Sequence, residues 1–137
     1  MPDFKSRRKA SQPKSDNAEA FDKIPVAEDG RPVLSLHHLQ RGFHVEDLAD
    51  DQCASFLKKW AKRSTFTWTE LGTHDKHGLG FEMLPKKIMK PVPPESLQQD
   101  KYMVFRHHGN LPFVGFKAGD TFHVLWIEAS YDDVYKH

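Results

Sequence analysis

The chain has a single cysteine, Cys53, and no long hydrophobic run. One cysteine excludes an internal disulfide and is typical of a reducing compartment. No apolar stretch approaches the roughly 20 residues needed to cross a bilayer. The basic residues near the N-terminus are not followed by the hydrophobic segment of a secretory signal. We therefore expect a cytoplasmic protein with no membrane partner.

Charge of one sign is not in excess, because 20 Lys and Arg residues are balanced by 19 Asp and Glu residues. Bulk charge therefore predicts no nucleic-acid partner, and a basic surface requires an uneven distribution of these charges. The chain also lacks a glycine-rich phosphate loop, a GxSxG motif and an HExxH motif. Three common signatures of catalytic sites are thus missing.

Histidine is abundant, with nine in 137 residues, which raises the question of a metal site. The adjacent pairs at 37–38 and 107–108 would point to opposite faces of a strand. No cysteine or carboxylate stands at a recognisable ligand spacing from His74 and His77. We therefore expect no metal and no other cofactor.

The first 32 residues lack hydrophobic periodicity, and we expect them to form a disordered N-terminal arm. The start of the arm is basic, and its part from Asp16 to Asp29 is mostly acidic. Two interpretations are open: a solvated tail, or an arm that binds nucleic acid or folds on a partner. Residues 33–137 are long enough for one domain with a hydrophobic core.

Two helices are predicted in that domain. Over about 50–63, apolar residues recur at helical period, beginning with Cys53 and Phe56. Acidic residues gather at the start of this helix and basic residues at its end, which the helix dipole explains without a phosphate ligand. A shorter helix at 68–72 is indicated by the capping box from Thr67 to Glu70.

Strands are predicted at 33–39 and 81–84, and three more follow between Tyr102 and the C-terminal tail. Short turns separate the last three, so they should pair as antiparallel neighbours. We expect an α+β domain of two layers, with an antiparallel sheet of three to five strands and both helices on one face. The other face is expected to be partly open and lined by polar residues.

Cleavage of RNA without a metal needs a base for the ribose 2′-OH, cations for the phosphorane and an acid for the leaving oxygen. The chain offers Glu82 or His77 as the base and Arg106 with Lys86 as the phosphate clamp. His137 or Tyr135 could be the acid. Further RNA contacts are predicted for three lysines and two histidines, namely Lys86, Lys87, Lys90, His74 and His107.

Structural roles are open for several of the same residues. Arg106 could serve only as an ion-pair partner of Glu82, and Tyr135 could serve only to pack the tail onto the sheet. His123, between two apolar residues of a strand, is typical of a hydrogen-bonded sheet histidine. Cys53 is typical of a small buried hydrophobic residue.

The order of the elements, and the C-terminal pattern xFRxxG…xxGFxxGDxFHVLWI followed by Tyr-x-His, resembles the RelE/ParE superfamily of small toxins over roughly residues 33–137. Its YoeB-like branch has a glutamate, an arginine and a C-terminal histidine and tyrosine in the active site. The matching residues here are Glu82, Arg106, His137 and Tyr135. The resemblance implies an endoribonuclease that cuts mRNA, often on the ribosome, and is neutralised by a small antitoxin.

Two other functions remain open. A non-catalytic module could hold RNA or a protein partner on its histidine-rich face. A ParE-like protein would keep the fold but act on gyrase, which needs no acid–base pair.

Overall fold

A computed structural model of the protein describes residues 30–137. Most of the predicted arm, residues 1–29, lies outside the described residues. Gly30 and Pro32 are buried. The carbonyl of Gly30 accepts a hydrogen bond from the backbone N–H of Trp68 at 3.1 Å, so the chain is already packed against the domain at this point.

Five strands form one open sheet in the order β1-β5-β4-β3-β2. Their bounds are Val33–Ser35 for β1, Glu82–Pro85 for β2, Lys101–His108 for β3, Leu111–Ala118 for β4 and Thr121–Ile127 for β5. β1 ends before its predicted limit at 39, since Leu39 closes a turn onto the carbonyl of Leu36.

The sheet is mixed, which corrects the expectation of a purely antiparallel one. β2, β3, β4 and β5 pair antiparallel, whereas β1 runs parallel to β5. Short turns fix the direction of the last three strands. No hairpin joins β1 to β5, because the rest of the domain lies between them in sequence, so no turn fixes the direction of β1.

Two helices pack on one face of the sheet, as predicted: α1 spans Asp50–Arg63 and α2 spans Trp68–Leu71. The capping box of α2 is confirmed, since the Thr67 hydroxyl accepts from the N–H of Glu70 and the Glu70 carboxylate accepts from the N–H of Thr67. Among residues 30–137, no helix is long and apolar enough to cross a membrane.

The face of the sheet under the helices, here called the helix side, carries an aromatic core. Phe56 and Trp60 of α1 pack there with Phe105, Phe113 and other buried residues of the sheet. The inward stripe of α1 is narrower than predicted, because Leu57 is 61% exposed.

The opposite face, here called the tail side, is also a core, which corrects the expectation of a partly open polar face. Trp126 and Val104 of the sheet are fully buried there under Met89, Val134 and Tyr135. The cover consists of the connection between β2 and β3 and the tail, residues 128–137. The tail side is covered because β3 is apolar at the consecutive positions 102–105. Side chains at successive positions point to opposite faces, so both faces of this strand have to be buried.

Candidate functional site

The site begins with an ion pair between β2 and β3 on the tail side. An Arg106 guanidinium nitrogen lies 2.8 Å from a carboxylate oxygen of Glu82. The ammonium of Lys76 lies 3.2 Å from the other carboxylate oxygen. β2 and β3 are hydrogen-bonded neighbours, which places the two side chains of the pair side by side. The arginine side chain is only 7% exposed, so solvent screens this pair poorly.

Glu82 is ionised at neutral pH. Burial acts to raise the pKa of Glu82, but the hydrogen bonds and charges of Arg106 and Lys76 outweigh it and hold the pKa below its usual range. A low pKa makes a carboxylate a weak base. Glu82 would become a better base once a ligand drew Arg106 away from it.

A second acid–base pair lies within the tail. His137 Nε2 is 2.9 Å from a carboxylate oxygen of Glu128, whose side chain is fully buried. The other oxygen of Glu128 accepts a hydrogen bond from the N–H of Val134 at 3.0 Å. Burial raises the pKa of Glu128. The two side chains are therefore joined by a direct hydrogen bond, and the imidazole remains partly exposed.

Tyr135 contacts the second pair and interacts electrostatically with both pairs. Its ring stacks on that of His137, with the centroids 4.6 Å apart. Burial raises the pKa of the Tyr135 phenol; the charge of Arg106 opposes this effect, and the carboxylates of Glu82 and Glu128 add to it. Both pairs are thus close enough to act on the phenol electrostatically. At neutral pH the phenol keeps its proton and can donate a hydrogen bond.

The site has hydrogen-bonding capacity that the described residues do not use. Arg106 Nε and the Tyr135 hydroxyl are both buried, and neither has a partner within residues 30–137. Buried polar atoms are nearly always hydrogen-bonded, so such atoms call for an explanation. A polar ligand or an ordered water at this point would provide one.

The loop before β2 brings Lys76 to the site, and not the predicted base His77. His77 is exposed, and its backbone N–H bonds to the carboxylate of Asp75 at 2.9 Å. His74 Nδ1 is 2.9 Å from the carbonyl oxygen of Glu70. Its ring lies 4.6 Å from that of Phe66, which gives this predicted RNA contact a local structural role.

The three predicted RNA-binding lysines lie on the connection that covers the tail side. Lys86 and Lys87 are exposed and line a pocket of about 310 Å³ above Tyr102 and Trp126. Lys90 instead holds the tail in place. Its ammonium bonds to the carbonyl of Asp132, and its backbone N–H bonds to the carbonyl of Val134 at 2.7 Å.

His107 is not on a surface, which corrects the expectation that it contacts RNA. Its side chain is fully buried on the helix side, beside Phe56 and Phe113. Its Nε2 donates to the carbonyl of Glu128 at 2.8 Å. Burial lowers the pKa of His107 to about 4, so the imidazole is neutral at physiological pH.

Sequence reasoning placed Arg63 in the basic cluster at the end of α1 and missed that it is buried. Its guanidinium has no exposed surface and donates to the carbonyls of Leu79, Gly78 and Arg106 at 2.8, 3.3 and 2.8 Å. It also lies 4.7 Å from the ring centroid of Phe105. Arg63 thus ties the loop before β2 to β3, behind the site. Its helical spacing from Phe56 and Trp60 is the signal that could have revealed it.

Sequence reasoning also missed Lys76 and Glu128. Glu128 directly follows the apolar strand β5, and an ionisable residue at that position is a weak signal. Lys76 carries no signal of its own, since its role depends on how the loop folds back toward Glu82.

Three other histidines, His37, His38 and His123, form an aromatic cluster with Phe116 at the other end of the tail side. His123 stacks on Phe116 at 5.1 Å between centroids, and His38 lies 5.4 Å from His123. Within the described part of the chain, no group of three or more His, Cys, Asp or Glu side chains could hold a metal ion.

Comparison with protein-family models, with curated proteins and with solved structures finds no match to this chain.

Proposed function

We propose that this protein is a RelE-like toxin that cleaves mRNA by acid–base catalysis without a metal. The observation that supports it best is the environment of Tyr135, whose ring stacks on His137 and whose phenol is acted on by the charges of Arg106, Glu82 and Glu128. A phosphate clamp, a carboxylate base and a proton donor would then serve one site beside a buried phenol. The α+β fold with both helices on one face of the sheet is compatible with the resemblance to this superfamily.

In the proposed reaction, the scissile phosphate draws Arg106 away from Glu82 through bidentate hydrogen bonds. Loss of this ion pair raises the basicity of Glu82, which takes the proton of the ribose 2′-OH. The 2′-oxygen attacks phosphorus as the bond from phosphorus to the 5′-oxygen breaks. The products are a 2′,3′-cyclic phosphate and a 5′-hydroxyl, and the electron pair of the broken bond leaves with the 5′-oxygen.

The leaving 5′-oxygen takes its proton from His137. This step requires a proton on the Glu128–His137 pair, and the raised pKa of the buried Glu128 favours one there. Within residues 30–137, Nδ1 of His137 makes no hydrogen bond, so it is the nitrogen that can face the substrate. The phenol of Tyr135, protonated at neutral pH, donates to a phosphoryl oxygen and stabilises the charge that develops there.

The proposed partners are mRNA, either free or bound to the ribosome, and a small antitoxin protein.

One observation favours a second candidate, a non-catalytic module that binds RNA or protein. Glu82 is already satisfied by Arg106 and Lys76, as a purely structural ion pair would be. The ParE-like alternative, which acts on gyrase, is distinguished from both by its target.

Incubation of the full chain with free mRNA in EDTA tests the metal-independent reaction, and a parallel incubation with ribosomes and mRNA in Mg²⁺ tests cleavage on the ribosome. We expect cuts that leave 2′,3′-cyclic phosphate ends, and a loss of at least about 100-fold in rate for Arg106→Gln. Lys101→Gln, an exposed change at the far end of the same strand, should cut like the wild type.

Intact mRNA in every reaction, with growth arrest unaffected by Arg106→Gln, would refute the catalytic assignment. Intact mRNA together with damaged supercoiling in cells would select the gyrase alternative. Circular dichroism on each variant separates a lost site from a lost fold.

A further inference from the structure

A second basic surface lies on the helix side, away from the ion pair of Glu82. A groove of about 410 Å³ runs between α1 and the end of β3. Three lysines of α1 line it, together with His108, Asp51 and Ser55; the lysines are Lys58, Lys59 and Lys62. We call it the lysine groove.

Within residues 30–137, no ion pair neutralises the lysines of the lysine groove. Among residues 30–137, none of its three lysines forms an ion pair or donates a side-chain hydrogen bond. Lys58 and Lys62 are exposed and one helical turn apart, so they lie on the same face. Asp51 is the one acidic side chain of the lining; its carboxylate is largely exposed and lies 3.7 Å from His108 Nε2.

Lys59 lies deeper in the groove and is affected by its neighbours. Burial lowers its pKa first, and the positive charges of Arg63 and Lys62 lower it further. Three lysines are therefore held near one another, with Asp51 as the one carboxylate in the lining. Such an arrangement costs stability in the free protein and is relieved when an anion binds.

The helix dipole does not account for the whole lysine groove. The dipole favours cations within the last turn of a helix, which here contains Lys62 and Arg63. Lys58 precedes that last turn, and Arg63 points inward to the carbonyls behind the site. Lys58 therefore lies outside the part of α1 that the dipole explains, and it is aligned with Lys62 on the same exposed face.

We propose that the lysine groove binds the phosphate backbone of single-stranded RNA as it leaves the site. Its identification as RNA rests on the proposed function. Arg106 and His108 both lie at the C-terminal end of β3, so a strand held at Arg106 can pass round this end of the sheet to α1. Lysine is suited to this task, since it neutralises phosphates without regard to base sequence.

Binding of a labelled 2′-O-methyl RNA of about 16 nucleotides tests the inference, because this probe spans a typical single-strand site and cannot be cleaved at the 2′-oxygen. The variant is the pair Lys58→Gln and Lys62→Gln in the full chain. If each lysine neutralises one phosphate, the slope of log affinity against log salt should shrink by about 1.4. At 0.1 M salt the same loss corresponds to about 25-fold weaker binding.

The control is the pair Lys101→Gln and Lys117→Gln, which removes the same charge from exposed positions at the other end of the sheet. It should keep nearly the wild-type affinity and slope. An equal loss in both pairs would reduce the effect to net charge and overturn the inference. Unchanged RNA binding in Lys58→Gln/Lys62→Gln, with loss of binding to polyglutamate, would assign the groove to an acidic protein and also overturn it.

The two proposals fail in different experiments. If the wild type leaves natural mRNA intact while Lys58→Gln/Lys62→Gln still loses affinity and slope, the nuclease proposal fails and the RNA-binding groove stands. If the wild type cleaves and both lysine pairs bind as tightly as it does, the nuclease proposal stands and the groove fails.

Discussion

The carboxylate of Glu128, which has no exposed surface, lies 2.9 Å from Nε2 of the partly exposed His137. The contact joins the end of β5 to the last turn of the tail. The tail is fixed further by Val134, whose N–H donates to the other oxygen of Glu128, and by the N–H of His137, which donates to Asp132 at 2.8 Å. A segment that could have been a loose end is thereby held as a wall of the candidate site.

The first prediction concerns this pair. His137→Gln should lower RNA cleavage by about 100- to 10,000-fold, the range typical of a lost general acid. The imidazole is 24% exposed and stacks on Tyr135, but a glutamine amide can still donate to Glu128, so the free energy of unfolding should fall by no more than about 2 kcal/mol. The measurement is the single-turnover rate beside a urea denaturation curve.

Lys136→Gln is the matched control, since Lys136 is the exposed neighbour of His137. It should keep the wild-type rate. A wild-type rate for His137→Gln would remove the histidine from the mechanism and leave its contact with Glu128 as a tail anchor.

The elements with strong local signals could be predicted from the sequence. The stripe and terminal charges of α1, the capping box of α2 and the three C-terminal strands are each encoded within a short stretch. The direction of β1 could not be predicted, because it depends on contacts with a strand far away in sequence. The cover of the tail side was missed for the same reason, since no short-range pattern joins Val134 to Met89.

The candidate site was predictable where strand neighbours decide it. Glu82 and Arg106 lie on strands that pair directly, and the C-terminal residues were singled out through the resemblance. Lys76 was not predictable, since its contact depends on the conformation of an irregular loop. His107 was assigned to a surface because the alternation of a strand does not tell which of two covered faces a side chain enters.

The second prediction is a pH dependence of stability caused by His107. Its pKa is lowered from 6.5 to about 4, chiefly by burial. The unfolded chain therefore binds this proton first as pH falls. The stability that neutral His107 contributes is fully present above about pH 6.5. It is lost as the pH falls to about 4, and the change is on the order of 3 kcal/mol.

His107→Gln should flatten this part of the curve, because the amide can still donate to the carbonyl of Glu128 and does not titrate. His108→Gln, at the exposed neighbouring position, should keep the wild-type slope. Urea denaturation at several pH values between 4 and 7 measures both. Equal slopes for the wild type and His107→Gln would show that the pH dependence arises elsewhere.

The third prediction concerns the buried arginine of α1. Arg63→Met should cost at least about 3 kcal/mol in the free energy of unfolding, because the carbonyls of Leu79, Gly78 and Arg106 lose a charged donor. Lys62→Met, at the adjacent exposed position, should change it by less than about 0.5 kcal/mol. Chemical denaturation compares the two. If both variants changed the free energy of unfolding by less than about 0.5 kcal/mol, the buried position of Arg63 would be contradicted.

The last prediction separates function from stability at one atom. The Tyr135 hydroxyl is buried and has no hydrogen-bond partner within residues 30–137. Tyr135→Phe removes an unsatisfied polar atom and keeps the stacking on His137, so it should leave stability unchanged or raise it by up to about 1 kcal/mol. RNA cleavage should nevertheless fall about 10-fold or more, because the donor to the phosphoryl oxygen is lost.

Tyr102→Phe is the matched control on the same side of the sheet. The hydroxyl of Tyr102 accepts a hydrogen bond from the N–H of Gln99 at 3.1 Å, so its removal should cost about 1 kcal/mol. Cleavage should stay at the wild-type rate, because this bond lies outside the site. Tyr135→Phe is therefore expected to keep or raise stability and to lower the cleavage rate, whereas Tyr102→Phe is expected to lower stability and to keep the rate. A Tyr135→Phe protein that is less stable and fully active would mean that an ordered water satisfies this hydroxyl, and that the tyrosine serves only to pack the tail.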